Sequence, residues 1–160
     1  MSASEEGKEL LDKLGLSMIK DLVTKVYLMK ANDRVVIEVP NENLSKVVEE
    51  IKKFFGNEGL YVSTVVGTDL IDKKLMRVDY FIYIVKLKRF LVLRVFTDRE
   101  NPRVTSLYSL GLKSAIPGEC EAYDLLGIKF EGNPFLKRPF FAPEEFVEKG
   151  IYPLRKDAKV

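Results

Sequence analysis

Two apolar runs, Arg77 to Lys86 and Arg89 to Thr97, lie two residues apart. Both are rich in Val, Ile, Phe and Tyr, and Leu87-Lys88 between them is the length of a tight hairpin turn. A chain carrying this pair must build an antiparallel sheet, and one face of that sheet must be covered. The cover is predicted over 43–55. Leu44, Val47, Val48, Ile51, Phe54 and Phe55 recur there at helical spacing, after the turn Pro40-Asn41-Glu42-Asn43. Asn41 or Asn43 is available as a cap, and Gly56-Asn57-Glu58-Gly59 closes the helix.

The remaining elements fall around these two. Glu5 to Leu14 predicts a short helix with Leu10, Leu11 and Leu14 on one face and Gly15 as its stop. Leu22 to Lys30 and Arg34 to Val39 predict a hairpin across Ala31-Asn32-Asp33. A helix competes for the first of these segments, because Ile19, Leu22, Val23 and Val26 also fit its period. Leu60 to Val66 predicts a strand, Gly67 to Lys74 a polar connection, Asp98 to Pro102 a loop, and Val104 to Leu112 the start of a short helix. The expected class is α+β, a mostly antiparallel sheet with helices packed on one face, plus an extended irregular C-terminal tail. The expected organisation is an N-terminal helix and linker over 1–17, an α+β domain over 18–127 and a docking tail over 128–160.

Ile116 to Leu126 predicts the last helix. Pro117 suits its first turn, Glu119 and Glu121 complement its dipole, and Gly127 supplies a left-handed stop. No helix or strand period follows, although the segment holds Phe130, Phe135, Leu136, Phe140, Phe141, Phe146, Ile151 and Tyr152. Disordered tails are poor in aromatics. This one is therefore expected to lie along a surface, either its own domain or a partner.

Composition narrows the partners. A formal net charge of +2 gives no strong field for a nucleic-acid backbone or an acidic membrane. One cysteine allows no internal disulfide and no cysteine-held cluster. The polar, acidic start predicts no signal peptide, and no apolar run approaches the roughly eighteen residues that span a bilayer. Membrane attachment is thus expected only through partners. The lack of His and Trp, with abundant Lys and Glu, leans toward a thermophile.

The residues Glu119-Cys120-Glu121-Ala122-Tyr123-Asp124-Leu125-Leu126-Gly127-Ile128, followed by Phe130, Gly132, Asn133, Pro134, Leu136 and Arg138, resemble a known signature. It is that of the 30-kDa subunit family of respiratory complex I, the bacterial NADH dehydrogenase included. Pro153 to Asp157 resembles that family's closing motif. Cys120 stands where the family usually has Arg, and Asn133 where it usually has His. Both departures point to the branch found in membrane-bound hydrogenase and sulfur-reductase complexes. A quinone-reducing dehydrogenase using NADH or another donor is the alternative within the family. The resemblance implies a non-catalytic peripheral-arm subunit on the cytoplasmic face of the membrane. It implies a large catalytic subunit and a small iron–sulfur subunit as partners. Iron–sulfur clusters, and nickel–iron in some relatives, are expected in those partners and no cofactor in this chain. The implied interface residues are Glu119, Glu121, Tyr123, Asp124, Gly132, Pro134, Arg138 and Arg155.

Other chemistry is weaker. Glu119, Glu121 and Asp124 form an acid cluster, with Glu121 and Asp124 on one helix face, but metal sites of this kind recruit His and there is none. Ion pairs with Arg138, Arg155 or a partner's arginines suit them better. Cys120 has no His to act as its base. Tyr80, Phe81 and Tyr83 beside Lys86, Lys88 and Arg89 suggest an RNA-binding sheet, without the glycines that such sheets carry. A stand-alone interaction or RNA-binding module therefore stays open beside the respiratory reading.

Overall fold

The computed structural model describes residues 3–29 and 33–159. A five-stranded sheet runs in the order β1 (Lys25–Met29), β2 (Arg34–Glu38), β5 (Arg89–Asp98), β4 (Leu75–Ile84) and β3 (Leu60–Leu70). Its pairings are antiparallel except β2 with β5, where Val35 to Glu38 run parallel to Leu91 to Arg94. The expected α+β class is what the chain adopts.

Alternation in the strands separates two faces. Met76, Val78, Tyr80, Ile82 and Ile84 of β4 join Leu91, Leu93 and Val95 of β5 in one core. The same core takes in Leu11 of α1 (Glu5–Lys13) and Leu44, Val47, Val48 and Ile51 of α2 (Leu44–Phe55). α3 (Ile116–Leu126) adds Ala122 and Leu126. Tyr80 is therefore a core residue, fully buried. Phe81 and Tyr83 point the other way, with Phe90, and Arg34 lies 5.3 and 5.5 Å from the Phe81 and Phe90 rings. The aromatic strand is thus split between two faces, Tyr80 in the core and Phe81 and Tyr83 outside it. On the same outer face Arg94 forks onto Asp79 at 2.7 and 3.1 Å and reaches the Tyr27 hydroxyl at 2.6 Å.

Several expectations need correction. β3 continues through Gly67 to Leu70, because Thr68, Asp69 and Leu70 find partners in Arg77, Met76 and Leu75. The stretch is a strand and not a connection, and its most polar residue, Asp69, is buried. Ser17–Leu22 is a 3₁₀ segment and the first strand begins only at Lys25. Of the expected connection Ala31-Asn32-Asp33, residues 31 and 32 lie outside the described residues. Asn43 stands at the N-cap of α2 but its side chain makes no capping hydrogen bond. Asn43 donates to the Leu22 carbonyl, and Asn41 bridges Arg103 and Thr105. After Asp98 the chain forms a short strand, β6 (Arg103–Thr105), where a helix is expected. β6 pairs parallel with β7 (Lys129–Glu131), and a one-turn helix, α4 (Glu144–Glu148), follows. The tail therefore holds short regular elements that carry too few residues to print a period.

Candidate functional site

α3 is the scaffold of the tail. Ala115 provides no side-chain cap, and Gly127 ends the helix at φ 77°. Small residues let the helix approach the sheet closely: a Cβ on Gly118 would meet Val65 at 2.8 Å. Three buried carboxylates then fasten the segments on either side.

The first is Glu119, fully buried. Its Oε2 accepts from Ser106 Oγ at 2.6 Å and from Asn133 Nδ2 at 2.8 Å. Its Oε1 accepts from the Leu107 N–H at 2.8 Å and from the Tyr80 hydroxyl at 3.4 Å. Every partner is a neutral donor. Burial pushes the Glu119 carboxyl above its ordinary range, and the four hydrogen bonds only partly oppose this. Asn133, at the position where the family signature has His, passes the link on through its Oδ1, which accepts from the Phe135 N–H at 2.8 Å.

Asp124 is the second, also fully buried. One oxygen takes the Arg138 Nε–H at 3.0 Å. The other takes the backbone N–H groups of Phe140, Phe141 and Ala142 at 2.9, 2.6 and 2.7 Å. Burial works to raise this carboxyl, but the three amides and the guanidinium together hold it below the usual range. Arg138 also donates to the Ile151 carbonyl at 2.5 Å and lies 4.1 Å from the Tyr152 ring. Arg155 approaches the same ring at 5.2 Å and donates from Nε to the Leu126 carbonyl at 2.8 Å. Tyr152 fits there because residue 127 is Gly: a Cβ would stand 2.9 Å from the ring.

Asp69, near the end of β3, is the third. Arg99 forks onto it at 2.7 and 2.9 Å and reaches Asp157 at 2.6 Å, and the Lys156 N–H donates to Asp69 Oδ2 at 2.9 Å. Hydrogen bonding from Arg99 lowers the Asp69 and Asp157 carboxyls and raises the guanidinium. The sequence holds little sign of this clasp, since Asp69, Arg99 and Asp157 sit in three unrelated segments.

The eight interface candidates thus separate into two kinds. Glu119, Asp124, Arg138 and Arg155 hold the tail to its own domain. Glu119 pairs with no arginine, while Asp124 does pair with Arg138. Tyr123 is half-buried against the core. Glu121 and Pro134 are exposed. Glu121 and Asp124 do not act together, because Asp124 is covered by the tail and Glu121 faces out. Gly132 sits at φ 94°, where a Cβ would meet Ser109 at 2.7 Å. Gly132→Ala is expected to cost about 1–2 kcal/mol, read as a lowered midpoint in chemical unfolding.

The clasped tail covers some of its aromatics and displays others. Phe130 is 1% exposed, whereas Phe135, Phe140, Phe141 and Leu154 are 49%, 40%, 63% and 58% exposed. Beside them, an open cleft of about 410 Å³ lies between α3 and residues 134–140.

The carboxylates also set a pH response. Asp69 and Asp124 have folded values below their unfolded ones, so their stabilisation is present above the ordinary Asp value of 3.8 and is lost as pH falls through the lowered values. Glu119 has the opposite sign. Its contribution is present below its unfolded value of 4.5 and is lost as pH rises through the raised one. Acid below the ordinary Asp range is therefore expected to free the tail at Asp124 while Glu119 still holds. Amide exchange at Phe141 and Ala142 should accelerate before that at Leu107.

The α+β domain thus pins its own aromatic C-terminal segment with buried carboxylates. The chain belongs to the family described as the respiratory-chain NADH dehydrogenase 30-kDa subunit, which it matches over residues 21–160. It is 30% identical over 128 residues to a subunit of the NADH-quinone oxidoreductase of Moorella thermoacetica, covering 80% of this chain and 82% of that one. It is 38% identical over 100 residues to the corresponding NADH-quinone oxidoreductase subunit of Chloroherpeton thalassium, covering 62% of this chain but only 40% of the relative. The fold is similar to that of a chain in the solved structure of the membrane-bound sulfane sulfur reductase, an archaeal respiratory membrane complex. There the TM-score is 0.74 at 18% identity, covering 98% of this chain and 87% of the other. Among the described residues no helix is long and apolar enough to cross a membrane.

Proposed function

We propose that this chain is a non-catalytic subunit in the peripheral arm of a complex-I-like, membrane-bound oxidoreductase, where it braces the large catalytic subunit from the cytoplasmic side. The observation that carries this reading is the exposed row Phe135, Phe140 and Phe141, whose backbone N–H groups are held by Asn133 at the first and by Asp124 at the other two. An apolar row displayed by a fixed backbone suits a permanent interface, because little ordering is left to occur on docking. On this reading the iron–sulfur clusters, and any nickel–iron centre, belong to the large subunit and the neighbouring small subunit. The assembly is an ion-translocating hydrogenase or sulfur reductase that takes electrons from ferredoxin. Fold likeness to a chain of the sulfur reductase over nearly the whole length favours it. The second reading, the equivalent subunit of an NADH or other donor:quinone oxidoreductase, is favoured by identity to the Moorella and Chloroherpeton proteins.

Affinity purification of the tagged chain from its own cells separates the two. The expected companion is a large subunit of nickel–iron type together with antiporter-like membrane proteins. A large subunit with a quinone site selects the second reading, and recovery of the chain alone removes both. Glu121→Ala, at an exposed side chain, is expected to weaken recovery of the large subunit and leave the unfolding midpoint unchanged. Arg138→Ala should lower both.

A further inference from the structure

The cleft between α3 and residues 134–140 points to a specific occupant. We propose that it receives a large apolar side chain of a partner subunit, with an Asp or Glu beside that side chain to meet Lys137. This rests on the reading that the chain docks in a larger assembly, and it adds where and by what chemistry.

The walls of the cleft are apolar and fixed in place. Pro117 and Leu136 line it with Phe135 and Phe140, and Cys120 lies at its buried side. Phe135 is held by edge-on contact with Tyr108 at 5.4 Å and by its N–H on Asn133. Phe140 is held by its N–H on Asp124. The two buried carboxylates that fasten the tail therefore also set both aromatic walls, directly at Phe140 and through Asn133 at Phe135. The Cys120 thiol is already turned to the Phe135 carbonyl at 3.5 Å, and burial pushes it up, away from the reactive thiolate.

Lys137 is the only charged group in the lining. It is exposed, and among the described residues it joins no ion pair. A small-molecule site needs several placed polar groups to fix the orientation of its ligand, and this lining has one. A side chain delivered by a larger surface needs no more than an apolar pocket and one complementary charge, the arrangement of a buried anchor within a polar rim. The free cation assigns the sign of that charge.

Incorporation by competition tests this. Tagged Lys137→Glu and untagged wild-type chain are expressed together in the source cell, and the ratio of the two in the purified assembly is read by mass spectrometry. The variant is expected to be depleted by about tenfold, the factor that one modest charge-assisted contact supplies. Phe135→Ala should be depleted at least as much, and Lys129→Glu, at an exposed position away from the cleft, should enter at the wild-type ratio. Equal incorporation of Lys137→Glu and Lys129→Glu overturns the assignment and leaves the docking reading intact. Isolation of the wild-type chain with no companion subunit removes the docking reading itself. A purified chain that dimerises alone, and becomes monomeric as Lys137→Glu, makes a second copy the occupant and also overturns the partner assignment.

Discussion

Asp124→Ala is expected to unfasten residues 138–142 and cost about 3–5 kcal/mol, the usual effect of removing one member of a buried ion pair. The variant leaves the Arg138 guanidinium, 10% exposed, without its carboxylate. It also leaves three amides, those of Phe140, Phe141 and Ala142, without an acceptor. Small domains are stable by about 5–15 kcal/mol in total, so the loss is a large fraction of what holds the chain folded. The measurement is the urea midpoint together with amide exchange. If the tail alone is released, the midpoint falls modestly and the amides of residues 140–142 lose protection. If the tail is part of the cooperative unit, the whole transition moves. Asp124→Asn keeps one acceptor oxygen and should lie between wild type and Ala. Wild-type protection of Phe141 and Ala142 in the Ala variant would show that the carboxylate is not the anchor.

Glu119→Ala is the second large effect, about 3 kcal/mol. It strands the Leu107 N–H and the Asn133 amide in a buried site, and each unsatisfied donor costs roughly 1–3 kcal/mol. Part of that is given back, since the substitution also removes a carboxyl whose charged form burial disfavours. Glu119→Gln should therefore be milder than Ala. Its stability should also lack the acid-favouring slope that the raised carboxyl gives the wild type. Unfolding midpoints of the three proteins at about pH 4 and about pH 7, on either side of the ordinary carboxyl range, check both statements. A wild type and a Gln variant that respond identically to pH would mean that the Glu119 carboxyl titrates alike in the folded and the unfolded chain.

The sheet and its cover were readable from the residues alone because both rest on periodicity. The runs around Tyr80 and Leu93 alternate, and the run from Leu44 to Ile51 repeats at helical spacing, so local pattern and global fold agree. The signature around α3 singled out the candidate residues by resemblance. It did not disclose what the acids do: Glu119 and Asp124 look like surface charges in a helix and are instead buried tethers. Their partners, Ser106, Asn133 and the amides of Phe140 to Ala142, are small or backbone groups with no charge to mark them. The Asp69–Arg99–Asp157 clasp was hidden for another reason. Its members come from two strand ends and the tail, so only the folded chain brings them together. Likewise β6 and β7, of three residues each, are too short to print an alternation and exist because each completes the other.

The parallel pairing of β2 with β5 has a consequence for synthesis on the ribosome. The β1–β2 hairpin leaves the exit tunnel well before its neighbour β5, which is made only after α2, β3 and β4. At roughly 5–20 residues per second, β2 waits for seconds with its apolar Val35, Val36 and Ile37 unpaired on one edge. The later meander of β3, β4 and β5 needs only short-range closures and can form without it. Nascent chains long enough for β5 to have left the tunnel should therefore be the first in which the β1–β2 hairpin resists proteolysis, and shorter ones should leave it open to chaperones.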